Sequence, residues 1–90
     1  MIKTVLLVPS RDNQGRLFPR DRWIELEEQL VTAFGGLSRE SGIRGVWRDR
    51  GRVYRDVSRR YVVSLDSWLQ LPAWLDMVRW ALRTFEQEAL

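Results

Sequence analysis

The side chains with the most chemical potential in this 90-residue chain crowd into one stretch. Arg44, Arg48, Arg50, Arg52, Arg55, Arg59 and Arg60 follow one another closely, opposed only by Asp49 and Asp56, with Trp47, Tyr54 and Tyr61 interleaved. Guanidinium forks pair with phosphates and base edges, and flat rings stack on unpaired bases. The combination therefore points to single-stranded nucleic acid. The competing reading is a solvated arginine-rich hairpin whose aromatics belong to the core. The aromatic stacking motif of RNA-recognition domains is absent. Asp56 is isolated among the arginines. It is either a carboxylate held by Arg55, Arg59 or Arg60 to orient a ligand, or a structural group in a hairpin ion pair or at a bulge. Surface ion pairs are common and contribute little, which favours the structural reading.

The chain contains no cysteine and no histidine. That removes disulfides, thiolate chemistry, the usual zinc sites and imidazole acid–base catalysis. An enzyme would have to work with Asp56, Tyr54, Tyr61, Ser58, Asp66 or Glu40. No carboxylate pair, nucleophile–base pair or metal cluster is visible in the sequence, so no catalytic residue, metal or cofactor is expected. The net charge is +3, and Lys3 is the single lysine among 15 basic residues. A near-total replacement of lysine by arginine is what GC-rich coding produces, and it weakens the charge argument for nucleic acid.

The elements that must position these residues follow from periodicity. One domain spans residues 1–90, since so short a chain builds one modest core. Ile2–Val8 is apolar on both faces and reads as a central, doubly covered strand ending at Pro9, which cannot donate a ladder hydrogen bond. It is too short for a signal-peptide core, so the expected compartment is the cytoplasm, with no membrane span. Ser10–Arg16 is loop. A first helix begins near Pro19, with Asp21 as a cap candidate. Trp23, Leu26, Leu30, Ala33 and Phe34 form its apolar stripe, widened by Ile24 and Val31, while Glu25, Glu27 and Glu28 cover the far face. Gly35-Gly36 ends it. A phosphate loop is the weaker reading of that pair, because it follows a helix instead of opening one.

Ser38–Gly42 reads as a second loop. Ile43–Trp47 and Arg52–Leu65 read as two strands joined at Asp49-Arg50-Gly51-Arg52, where Gly51 supplies a positive φ. Odd positions of the second strand (Val53, Val57, Tyr61, Val63, Leu65) make the better core face. A two-residue turn nevertheless sets Trp47 beside Tyr54 on the even face, and a bulge near Asp56–Arg59 would reconcile the two patterns. The second helix carries Leu71, Trp74, Leu75, Val78, Ala81, Leu82 and Phe85 on one stripe. The order β-α-β-β-α(-β) predicts an α+β, ferredoxin-like sandwich, an antiparallel sheet with two helices on one face.

At this point the residues resemble a known pattern. Phe34-Gly35-Gly36, Gly45-Val46-Trp47, Val53-Tyr54 with Asp56, and Phe85 with Gln87-Glu88-Ala89 are similar to a family of small, uncharacterised bacterial and phage-associated proteins sharing FGG…GxW…D…FxQEA. The resemblance runs over nearly the whole chain and implies the ferredoxin-like fold, with no established activity. In similar sequences the QEA segment continues into a fourth strand. Here the sequence stops at Leu90, so that strand is a stub or incomplete, and its loss would open the edge of the first strand to another chain.

Five tryptophans are many for this length. Trp23 and Trp74 lie on core stripes; Trp68 and Trp80 do not. Ala73, Met77, Trp80 and Thr84 make a second stripe on the second helix. Exposed Trp and Met are enriched at interfaces. The expected function is therefore binding or assembly as a homodimer, with Trp68, Met77 and Trp80 near the contact, or else the open sheet edge. Nucleic-acid binding through residues 44–60 is the alternative. A cofactorless enzyme or small-ligand binder of the dimeric α/β-barrel type, an analogy of fold alone, comes third.

Overall fold

The computed structural model describes residues 1–85. Its elements run β1 (Ile2–Pro9), α1 (Arg20–Phe34), β2 (Ser38–Asp49), β3 (Arg52–Leu65), a single 3-10 turn (Trp68–Gln70) and α2 (Leu71–Thr84). The fold is α+β and ferredoxin-like: three antiparallel strands in the order β1-β3-β2, with α1 and α2 packed on the sheet. β1, α1 and β2 make a split βαβ unit, with β3 inserted between the two outer strands. The segment expected to form a fourth strand, residues 86–90, lies outside the described residues. Among the described residues, no helix is long and apolar enough to cross a membrane.

The helix boundaries have local causes. Pro19 sits at the N-cap of α1 in extended conformation, and its ring suits a helix start. Asp21 falls in the first turn and does not cap. At the other end Gly35 adopts φ 88, and its N–H bonds Val31 O at 2.8 Å. That left-handed closure is one a Cβ disfavours. In α2, Pro72 occupies the first turn, where its missing N–H costs nothing.

Helices and sheet enclose one core. Leu6 and Val8 from β1, Leu26 and Leu30 from α1, and Tyr61, Val63 and Leu65 from β3 are buried together. The end of α2 closes it with Ala81 and Phe85. The Phe85 ring lies 4.8 Å from Phe18 and 4.7 Å from Trp23. Phe18 precedes α1 and belongs to no periodic stripe, yet it is a core residue.

Several expectations are corrected. β1 is not a central strand covered on both sides. It is an outer strand of the described sheet, and Val5 and Leu7 on its second face are half exposed. The expected loop Ser38–Gly42 is the start of β2. That strand outruns its own apolar content because its first residues pair with the well-buried end of β3. The irregularity falls on β2, between Glu40 and Ile43, opposite Arg59, instead of on β3. Ile24, Val31 and Leu75 are exposed, so both helices bury narrower stripes than their apolar content predicts.

Replacing Phe85 by Ala should cost about 3–5 kcal/mol, as for other large buried aromatics. Gln29→Ala, on an exposed position of α1, should stay within about 0.5 kcal/mol. Urea denaturation of the two variants measures both.

Candidate functional site

β1 pairs with β3 only as far as Pro9 opposite Ser58. Beyond that point β2 and β3 continue alone as a two-stranded arm of about 20 Å, at roughly 3.3 Å per residue. Its tip is a two-residue turn with φ 53 at Arg50 and φ 76 at Gly51. Two successive positive φ values match the right-handed twist of a hairpin, at some steric cost at the arginine.

Directly opposed residues share a face, so the ladder sorts the arm. Arg44 opposes Val57, Val46 opposes Arg55, and Arg48 opposes Val53. These six lie on the side where, further along, the helices pack. Gly45 opposes Asp56 and Trp47 opposes Tyr54 on the reverse side. The expected neighbours Trp47 and Tyr54 are therefore paired, and they are 56% and 42% exposed. Val46, Val53 and Val57 are exposed as well. A two-stranded ribbon with apolar residues on both faces is a marginal structure in water.

The arginines divide into two groups. Arg59 reaches Glu27 Oε2 at 3.4 Å and lies 4.2 Å from the Trp23 ring. Arg60 bonds Glu40 at 2.8 Å. Both are engaged within the chain. Among the described residues, the side chains of Arg44, Arg48, Arg50, Arg52 and Arg55 make no ion pair or hydrogen bond.

Glu27, expected on the far face of α1, is the centre of a cluster at the edge of the core. It accepts from Arg39 at 3.0 Å, from Arg59, and from the Tyr61 hydroxyl at 2.9 Å. Burial, reinforced by that bond and opposed by Arg59, pushes the Tyr61 phenol up to about 12. The cluster ties α1 to β2 and β3. Its partners come from two other elements, so no spacing within α1 marks it.

Asp56 is not held by Arg55, Arg59 or Arg60, the arginine contacts expected from the sequence. Among the described residues its carboxylate has no hydrogen-bond or ion-pair partner. It lies over Gly45, where a Cβ would meet Asp56 Oδ1 at 2.7 Å and Trp47 Cζ3 at 3.6 Å. These three residues border a cleft of about 240 Å³ on the reverse side of the sheet. Leu7, Pro9, Ile43 and Leu82 form its apolar walls, and Ser58, 6% exposed, lies at its base. No group of His, Cys, Asp or Glu that could hold a metal occurs among the described residues.

Of the residues expected at a partner contact, Trp68 is 69% exposed on its turn. Met77 and Trp80 are half-buried and pack against the core.

No protein-family model and no curated protein matches the chain. Among solved structures, the divalent cation tolerance protein (Cut A1) from Thermus thermophilus is similar, with a TM-score of 0.61 and 12% identity. The match covers 93% of this chain and 73% of that one. At that identity the likeness concerns the fold.

Absorbance titration should show one phenol step near pH 12 that is absent from Tyr61→Phe. The folded phenol holds its proton more tightly than the free side chain, so its stabilising contribution is complete below about pH 10 and is lost as pH rises toward 12. Wild-type stability in urea should fall across that window, and the Tyr61→Phe protein should lack this part of the fall.

Proposed function

We propose that the chain is a binding protein that assembles with a second copy of itself through the β2–β3 arm. The observation that carries this reading is the valine-and-arginine side of the arm: Val46, Val53 and Val57 exposed beside Arg44, Arg48 and Arg55, none of them satisfied within the described chain. The outer side of α1 has complementary character. Asp21, Ile24, Glu28 and Val31 recur at three- and four-residue steps, which places them on one helix face, and all but Ile24 and Val31 are acidic. Apolar contact excludes water while opposite charges set the register. In a two-fold dimer each arm lies along α1 of the other copy, so the contact is made twice. Trp68 is a second candidate contact of the same assembly.

Static light scattering checks the reading. The wild type should have twice the 10.7 kDa of one chain. Glu28→Arg and Arg48→Glu should each shift it toward the monomer, and the double variant should recover the dimer. A monomer at every concentration, or a dimer indifferent to both reversals, refutes the arm contact. If Trp68→Ala alone dissociates it, the contact lies at the turn.

A second reading, single-stranded nucleic acid, is supported by the five unengaged arginines around the exposed Trp47–Tyr54 pair. The alternation of the strands counts against it, because Arg44, Arg48 and Arg55 leave on the side away from those rings. On this reading a labelled oligonucleotide binds at about 50 mM salt, weakens steeply as salt rises, and loses affinity in Trp47→Ala. No binding at low salt ends it.

A further inference from the structure

The reverse side of the sheet holds a separate feature that the arm contact does not use. Asp56 lies in the most arginine-rich part of the sequence, yet it meets none of those arginines. Strand alternation is the cause. Arg44 and Arg55 project to the opposite side, Arg59 turns to Glu27, Arg60, which shares the side of Asp56, is taken by Glu40, and Arg52, also on that side, stands beyond Tyr54 toward the tip of the arm. The carboxylate is left facing the cleft between Trp47 and the aliphatic walls. Gly45 directly opposite keeps that space open, since any Cβ would press on Oδ1.

We propose that this cleft binds a small organic cation, a primary or quaternary amine. Asp56 supplies the opposite charge, and the Trp47 indole offers a ring face, which attracts cations through its quadrupole. Leu7, Ile43 and Leu82 accept the methylene or methyl groups. At about 240 Å³ the cleft is smaller than pockets that take drug-sized molecules, which sets the size of the ligand. Anions are repelled by the carboxylate. A bare divalent ion would find one carboxylate where six or more oxygens are usual. This inference stands whether or not the arm mediates self-association, because the six residues proposed for that contact lie on the other side of the ladder.

Amide and indole NMR of the full chain, titrated with butylammonium and with tetramethylammonium chloride, tests it. Sodium butyrate, sodium chloride and magnesium chloride at matched ionic strength are the controls. Saturable shifts at the Trp47 indole N–H and the Gly45 and Asp56 amides are expected with either ammonium salt alone. Asp56→Asn should weaken binding roughly tenfold or more. Gly45→Ala should displace the carboxylate and weaken binding similarly while its melting transition stays near wild type, since the clash is with the end of a flexible side chain. Shifts that do not saturate, that survive Asp56→Asn, or that sodium or magnesium chloride reproduces overturn the proposal.

Discussion

β3 keeps an unbroken two-residue alternation from Leu65 to Arg52, and every other feature of the molecule depends on it. The strand pairs with β1 without a slip, so its odd residues all lie on the side of the helices and its even residues all lie on the other. Where helices cover it, the odd set is core: Leu65, Val63 and Tyr61 are fully buried. Past Ser58 the same set, now Val57, Arg55 and Val53, meets water. One continuous strand thus changes from the centre of a core to an exposed arm without any change of pattern. The cause is only that the helices and β1 stop before it does.

Two carboxylates show what that geometry does to charge. Glu27 sits at the rim of the covered part and is surrounded by Arg39, Arg59 and the Tyr61 hydroxyl. Its partners satisfy it, and the shared bonds pin α1 to the sheet. Asp56 sits on the uncovered side, and the arginines nearest to it in sequence are directed elsewhere. A charge satisfied by neighbours from other elements is structural. A charge left facing an apolar cleft beside an indole and a glycine is available for a ligand. Arg44, Arg48 and Arg55 share their side with valine and not with the aromatic pair, while Arg52 falls on the side of Tyr54. Arg59 and Arg60 are already engaged in holding the sheet to α1 and to β2.

Much of the frame is legible in the residues. The spacing of Trp23, Leu26 and Leu30 marks one helix, that of Trp74, Ala81 and Phe85 the other, and Gly51 marks the turn that pairs Trp47 with Tyr54. The second face of β1 is apolar but exposed, because periodicity reports that a face is apolar and not that anything covers it. Ile24, Val31 and Leu75 extend the helical stripes on paper and face water in the fold for the same reason.

The order of the elements, their helical or extended character and the sorting of residues to one side or the other are local matters, and the chain's own alternation and turn chemistry determined them. Which sides are covered, which strand ends outside the helices, and how Glu27 and Asp56 are partnered depend on where separate elements stop relative to one another. Those lengths meet only in the packed structure, so the engagement of Glu27 and the isolation of Asp56 were decided there.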